Sequence, residues 1–344
     1  MKPLFKFIIV CSFVSYSTTA FSKPENAIDV HMHIDGIGSA DRRAVRANIQ
    51  HLIALMNESG VEKAIVMPPP QNRGQKGAYD YDVLVRAVEK HSGRLVLGGG
   101  GGSLNPMIQG IDAEDVGEEH RRQFREKAEE IVNAGAKVFG EMTVLHACLN
   151  PRHHYVAASA DHPLFLLLAD LAAEFDIPID LHMEALAHHW STPKKLLDAC
   201  SQNPSKLPAT IPAFERLLSH NRNARIVWQH IGWDNLGEMT PELLRGLLEK
   251  HPNLYLAVKG VPESTRDNKI HNAQYQVLPE WLTLFQEFPD RIVGGADEFV
   301  RSENMKGGYR KPPFFEITWK AIASLPQDLR RKIGSDNARR IYRL

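Results

Sequence analysis

The sequence has 344 residues, with 41 Lys and Arg against 41 Asp and Glu, so its formal net charge is zero. This length suits one large α/β barrel better than two small domains. The charge balance argues against a nucleic-acid or membrane-surface partner, since both favour a basic excess.

The first residues have the layout of a secretory signal peptide. Lys2 and Lys6 precede an apolar run, and small and polar residues follow it. This pattern predicts removal of residues 1–22 and a mature chain at 23–344 that is exported, either periplasmic or secreted. The apolar run is too short for a stable membrane anchor, although an uncleaved anchor is the alternative.

Beyond the signal, short apolar segments alternate with amphipathic ones. Each apolar segment is brief and rich in β-branched residues, as expected for a parallel strand that is buried on both faces. The predicted strands lie at 27–33, 63–67, 95–99, 136–142, 177–183, 225–230, 254–258 and 291–295.

Amphipathic helices are predicted between these strands. The first stops at Gly60, and a later one begins at Thr240 and Pro241, an N-cap followed by a proline at the first helical position. The other helices are predicted at 118–132, 163–175 and 279–288, and the first spans 41–59. Eight strand–helix units predict a parallel sheet closed into a single-domain (β/α)8 TIM barrel.

Two cysteines, Cys148 and Cys200, remain in the predicted mature chain. An exported protein can pair them, but geometry decides this and the sequence leaves it open. Their wide spacing does not fit a metal site, which favours a close CxxC pair.

Polar side chains follow several predicted strands, where the active site of such a barrel lies. The first strand ends in His31 and His33, which point the same way because residues two apart share a face. His182, His230 and Asp297 end strands five, six and eight. Burying these groups without a partner is costly, and one divalent metal ion removes that cost for all of them.

Glu141 ends the fourth strand and points at the same mouth. It can bridge a second metal ion, contact substrate or orient a histidine. A simple ion pair with a basic neighbour is the alternative.

Two further segments carry a resemblance to a known family. Residues 28–33 read IDVHMH and residues 336–342 read DNARRIY. With the order of His182, His230 and Asp297, they resemble the amidohydrolase superfamily, specifically its amidohydrolase-related (amidohydrolase 2) branch of TIM-barrel metal-dependent hydrolases. The resemblance covers nearly the whole mature chain and is specific for the superfamily, not for a substrate.

Two positions depart from the pattern of that branch. Strand eight has Gly-Ala-Asp at 295–297, where the branch often has Gly-Ser-Asp. Glu141 resembles the members that use glutamate on strand four, so a carbamylated-lysine bridge is not expected there. The number of metal ions, one or two, stays open.

The resemblance implies a water activated by a divalent metal ion, zinc being the first expectation. His31, His33 and His182 would hold the ion, and Asp297 would pass the water's proton to the leaving group. His230 would complete the metal shell or polarise the substrate carbonyl. The implied substrate is a small organic amide, ester or lactone.

Other residues are weaker candidates for a place in the pocket. Glycines at 98–102 could offer N–H groups to a substrate carboxylate, with Gly100 as the representative, although a flexible connection is the alternative. Lys259 follows strand seven and is a candidate partner for an anionic substrate, or else a solvated lysine. Weaker candidates are the loop residues His146, His153, His154, His188 and His189, while Trp228 and Trp233 are expected to pack.

Two rival functions use the same residues. One is a metal-dependent, non-oxidative decarboxylase of an aromatic or unsaturated acid, with Asp297 protonating carbon. The other is an exported barrel that binds metal or ligand without turnover. The substrate, the native metal and the oligomeric state, including a possible homo-oligomer, stay open from sequence alone.

Overall fold

The computed structural model describes residues 26–35, 42–75, 78–150, 154–262, 267–301 and 312–344. The predicted signal peptide at 1–22 lies outside these residues. No helix within the described ranges is both long and apolar enough to cross a membrane.

The strands of the barrel are short and largely buried. Their bounds are β1 (Ala27–Ile34), β2 (Val61–Val66), β3 (Leu95–Leu97), β4 (Gly99–Gly100), β5 (Phe139–His146), β6 (Val156–Ala157), β7 (Ile179–Met183), β8 (Trp190–Ser191), β9 (Lys206–Leu207), β10 (Ile226–Ile231), β11 (Leu254–Val258), β12 (Ile292–Gly294) and β13 (Glu298–Val300).

The helices pack outside the strands or close one end of the barrel. Their bounds are α1 (Arg42–Ser59), α2 (Tyr81–Lys90), α3 (Leu104–Gln109), α4 (Glu118–Asn133), α5 (Pro163–Glu174), α6 (Lys194–Ala199), α7 (Ile211–His220), α8 (Pro241–Lys250), α9 (Pro279–Glu287), α10 (Phe314–Ala323), α11 (Gln327–Arg331) and α12 (Asn337–Tyr342). At α8 the Thr240 hydroxyl accepts the N–H of Leu243, which confirms the predicted N-cap.

The parallel strands close into the predicted (β/α)8 barrel. Their order runs β13-β1-β2-β3 in one sheet and β12-β11-β10-β7-β5-β4 in the other. The two sheets join where β3 continues into β4 through Gly98, and where β12 continues into β13 through residues 295–297. Gly98 donates its N–H to the Val66 carbonyl, and Asp297 donates its N–H to the His31 carbonyl, so the hydrogen bonding continues around the ring.

The core has two layers. An inner cluster within the barrel includes Ile28, Val30, Val227 and Val293, while an outer cluster lies between strands and helices. Tyr342 of α12 belongs to the inner cluster. Arg339 of the same helix pairs with Glu62 at the start of β2, which places α12 at the N-terminal end of the strands. The opposite, C-terminal end is therefore left for function.

Three barrel strands each carry an extra residue relative to a neighbour. The stretch from Asp29 to Met32 opposes only Ala64 to Val66, and the same mismatch occurs between residues 139 and 142 of β5 and between 228 and 231 of β10. Such β-bulges switch which face the following residues occupy and commonly re-aim a side chain beside an active site. Each bulge contains one of the predicted metal ligands, His31, Glu141 and His230.

The structure pairs Cys148 with Cys200 in a disulfide, with a Cα–Cα distance of 5.8 Å and a sequence separation of 52. Both cysteines are buried, and Asn203 bonds both the N–H and the carbonyl of Cys148 at 2.8 Å. The link ties the segment after β5 to the end of α6. It therefore braces the chain beside the C-terminal mouth of the barrel.

Replacing both Cys148 and Cys200 by alanine is expected to lower the free energy of unfolding by about 2–4 kcal/mol, because the unfolded chain loses the constraint of a long closed loop. Denaturant unfolding of the variant and wild type measures this difference. A reducing agent should destabilise the wild type similarly and leave the variant unchanged. Equal midpoints and equal slopes for the two proteins would contradict the prediction.

Candidate metal centre

The six predicted ligands form one buried cluster at the C-terminal ends of the strands. We call it the candidate metal centre, and it consists of His31, His33, Glu141, His182, His230 and Asp297. The Nε2 atoms of His31 and His33 lie 2.9 Å apart within it. Both rings are fully buried and meet edge to face.

The contacts of the two Nδ1 atoms determine whether each Nε2 atom carries a proton or a lone pair. His33 Nδ1 lies 3.0 Å from the Met67 carbonyl oxygen, which can only accept, so this nitrogen donates its proton there. His31 Nδ1 lies 2.9 Å from the Asp180 carboxylate and donates in the same way. In the neutral rings both Nε2 atoms therefore hold lone pairs that face each other. A positive charge between them is required to make this arrangement favourable.

Glu141 connects two pairs of histidines. Its Oε2 atom lies 3.0 Å from His33 Nε2 and 3.5 Å from His31 Nε2. Its Oε1 atom lies 2.9 Å from His230 Nε2 and 3.2 Å from His182 Nδ1. One carboxylate thus offers one oxygen to each pair, which is the geometry of a bridging ligand.

The two oxygens of Asp297 also point in different directions. Oδ1 lies 3.4 Å from His33 Nε2 and 3.6 Å from His31 Nε2. Oδ2 lies 2.5 Å from Lys259 Nζ and 3.4 Å from His230 Nδ1. The carboxylate therefore joins His31 and His33, the first histidine pair, to the buried ammonium group of Lys259.

The electrostatics of the cluster favour positive charge at its centre. Burial opposes a charged His31 ring, but the carboxylates of Asp180 and Glu141 outweigh burial and raise the pKa of His31 well above its usual range. Burial also opposes ionisation of Glu141, yet His31 and its neighbours hold the Glu141 pKa well below its usual range. Burial lowers the pKa of His230 to about 4, so this ring is neutral near pH 7.

The donor set fits a divalent metal ion. Two three-residue groups have ligand atoms within 4.8 Å of one another, namely His31, His33 and Asp297, and His31, Glu141 and His230. Ligands held at about 2.1 Å around one tetrahedral ion lie about 3.4 Å apart. The separations that join the two Nε2 atoms to each other and to the two carboxylates run from 2.9 to 3.6 Å.

Two residues of the cluster have left-handed backbone conformations. The φ angle is 65° at His230 and 49° at Asp297. Such conformations are uncommon for residues other than glycine and cost about 1–3 kcal/mol when they are imposed by the surroundings. Here they occur near the end of β10 and directly before β13, where both side chains face the cluster.

The buried groups below the cluster were not among the residues predicted from the sequence. Asp180 accepts from His31 and also from Gln229 Nε2 at 2.6 Å, and burial raises the Asp180 pKa to about 6. Asp29 accepts the Trp319 indole N–H and the N–H of Ala296, next to Asp297. A charged residue within a buried apolar strand was the available signal, since such a residue requires a partner.

Lys259 contacts the cluster through Asp297, whereas the glycine run is part of the barrel wall. The Lys259 side chain is 2% exposed. Gly100 donates its N–H to Asp80 at 2.9 Å, and Gly98, Gly99 and Gly101 donate theirs to backbone carbonyls. The Gly100 donor is thus already used within the protein, so we leave Gly100 out of the proposed substrate site.

The remaining predicted residues lie at different distances from the cluster. The His146 ring centre is 4.9 Å from that of His182, and its Nδ1 faces the His154 carbonyl at 3.3 Å. His188 and His189 are exposed, and His153 lies outside the described residues. Trp228 packs against Phe214 as expected, whereas Trp233 covers the Lys259 ammonium group.

Comparison with known families shows which family the chain belongs to. The sequence profile of the amidohydrolase family matches residues 111–344, which include Glu141, His182, His230 and Asp297. The chain belongs to the amidohydrolase family. This membership supports a hydrolase-type function in general. His31 and His33 precede the matched range, and the fold brings them into contact with the matched ligands.

Similarity to solved structures extends along most of this amidohydrolase. A structure described as an amidohydrolase from Staphylococcus aureus is 12% identical, with a TM-score of 0.52, and covers 92% of this chain and 99% of its own. Amidohydrolase 2 from Bifidobacterium longum subsp. infantis is 14% identical, with a TM-score of 0.47 and coverages of 93% and 99%. Dihydroorotase from Campylobacter jejuni is 15% identical, with a TM-score of 0.49 and coverages of 93% and 84%.

At these identities the Staphylococcus aureus likeness supports the fold alone. A search of curated proteins found no match. Any finer inference about the activity of this amidohydrolase must therefore be argued from its own residues.

Proposed function

We propose that this amidohydrolase is a metal-dependent hydrolase that attacks an amide, ester or lactone of a small organic substrate with an activated water. The convergence of the His31 and His33 Nε2 lone pairs with two carboxylates carries this proposal. A cation relieves the repulsion between lone pairs and balances the buried negative charge in one step.

One ion is proposed at the first histidine pair, held by His31, His33, Asp297 and the Oε2 oxygen of Glu141. The other Glu141 oxygen faces His182 and His230, which offer a second position. Imidazole and carboxylate ligands in this number suit Zn²⁺, so zinc is the first candidate. Elemental analysis of the purified protein counts one or two ions per chain.

A divalent ion, when bound, would supply Lewis acidity and so lower the pKa of a water at the site toward about 7. Side chains of the protein then transfer the protons. Asp297 accepts a proton from the attacking water and transfers it to the leaving group. Neutral His230, 3.4 Å from Asp297 Oδ2, completes the metal shell or polarises the substrate carbonyl.

Export belongs to the same proposal. Residues 1–22 are predicted to direct secretion, and the Cys148–Cys200 disulfide is of the kind that persists in oxidising compartments. Reducing cytosol keeps most such thiols unpaired. A periplasmic or secreted hydrolase is therefore proposed, acting on small molecules outside the cytoplasm.

The proposal is tested with a panel of lactones, esters and amides, and with aromatic and unsaturated acids, each assayed before and after chelation. Release of acid or amine is expected from one class in the first group, together with its loss on chelation and recovery when Zn²⁺ returns. Carbon dioxide release from the acids, without hydrolysis, would instead identify a decarboxylase. Bound metal without turnover of any compound would support a binding protein.

A further inference from the structure

Lys259 is a buried cation with a specific partner. It follows β11, and its N–H donates to the Ile231 carbonyl at 2.8 Å, which fixes the start of its side chain. The side chain is fully enclosed, and Nζ lies 2.5 Å from Asp297 Oδ2. A buried ammonium group is costly unless it is paired, so this contact is the reason that the lysine can occupy the interior.

Two aromatic rings enclose the other sides of the ammonium group. Nζ lies 3.9 Å from the centre of the Trp233 ring and 4.3 Å from that of Phe314. The two rings meet edge to face, with centres 5.3 Å apart. Their faces attract a cation and exclude water. This enclosure leaves Asp297 as the polar partner of the ammonium group and buries Nζ away from solvent.

The contact with Lys259 gives the two Asp297 oxygens different partners. Lys259 takes Oδ2, which leaves Oδ1 facing the Nε2 atoms of His31 and His33 at 3.6 and 3.4 Å. Asp297 also has a left-handed backbone, with a φ of 49°, a strained conformation that its surroundings must maintain. Without Lys259 the carboxylate is free to rotate and present either oxygen, or both, to the histidines.

We propose that Lys259, held by Trp233 and Phe314, is a positioning residue that fixes the Asp297 carboxylate so that Oδ1 alone faces the first metal position. This inference rests on the proposed function for its catalytic consequence. It differs from the sequence-based prediction, in which Lys259 binds an anionic substrate. The two roles separate kinetically, because positioning of a base acts on kcat and binding of a substrate acts on KM.

The test uses Lys259→Met, which removes the charge and keeps most of the length, and Lys259→Gln, which keeps a hydrogen-bond donor. Lys194→Met is the matched control, since Lys194 forms an exposed ion pair with Asp198 on α6. Lys259→Met is expected to lower kcat by about 10- to 100-fold with KM unchanged, as for other groups that orient metal ligands. Lys259→Gln should recover part of this loss, and Lys194→Met should match the wild type.

A second readout does not depend on turnover. Each protein is loaded with Co²⁺, and its visible absorption reports the coordination of the ion. Lys259→Met is expected to shift the band and weaken Co²⁺ binding, whereas Lys194→Met should change neither. If the wild type hydrolyses nothing in the panel, the proposed function fails, while the Co²⁺ spectra still decide the role of Lys259.

Two results would overturn the inference. A rise in KM with kcat unchanged would return Lys259 to substrate binding, and an unchanged kcat with an unchanged Co²⁺ spectrum would remove it from the centre. Thermal melting of each variant checks folding. If Lys259→Met does not fold, Lys259→Gln carries the comparison, with the same spectral shift expected at smaller size.

Discussion

Asp297→Asn is expected to keep most of its metal and to lose nearly all turnover. The carboxamide oxygen can still face His31 and His33, so a ligand of the same shape remains. It cannot accept the proton of the attacking water, because an amide is not a base near neutral pH. A positioned general base contributes about 100- to 10,000-fold, and we expect kcat to fall within this range.

Metal analysis beside steady-state kinetics separates the two effects. Asp170→Asn serves as the matched control, since Asp170 lies on the outer helix α5 and bonds His220 and Asn221 there. The control should retain both metal and activity. An active Asp297→Asn protein would remove Asp297 from the role of base, and loss of metal together with activity would make it chiefly a ligand.

The second large effect is expected at the first histidine pair. His31→Ala or His33→Ala removes one of the two facing nitrogen ligands from the proposed metal position. We expect metal affinity to fall by more than the ~100-fold that follows loss of an outer partner of a ligand, and activity to fall with it. Competition with a chromogenic chelator measures the affinity.

His120→Ala is the control for this pair, because His120 is exposed on α4 and bonds only the backbone near the start of that helix in the described contacts. Its metal content and activity should equal those of the wild type. Full metal content in His31→Ala would place the ion elsewhere and would contradict the proposed coordination.

Much of this arrangement could be predicted from sequence because parallel strands in a barrel end at one rim. The apolar strands and the spacing of His31 and His33 predicted that both rings would face the mouth, and their Nε2 atoms meet there. His182, His230 and Asp297 ended other apolar segments, so their positions along the chain predicted convergence without any knowledge of tertiary contacts.

Other features depend on register, which alternating patterns do not encode. The bulges that contain His31, Glu141 and His230 each add one residue against a neighbouring strand. Strict alternation would place His230 on the same face as Trp228, which packs outward against Phe214. The left-handed φ at His230 and the bulge together turn the ring inward, and no short pattern in the sequence predicts either one.

Contacts between distant segments could also not be predicted from the sequence. Asp180 meets His31 across 149 positions of the chain, and Lys259 meets Asp297 across 38. A buried charge signals that some partner exists, but only the fold identifies it. The same holds for Gly100, whose N–H was expected at a substrate and is bonded to Asp80 instead.

Anomalous diffraction from crystals of the purified protein, collected on both sides of the zinc absorption edge, tests the central claim most directly. We expect a strong anomalous peak enclosed by His31 Nε2, His33 Nε2, Glu141 Oε2 and Asp297 Oδ1, with any second peak beside His182 and His230. Crystals grown with Zn²⁺ that show no peak among these atoms, or a peak only at the molecular surface, would contradict the account.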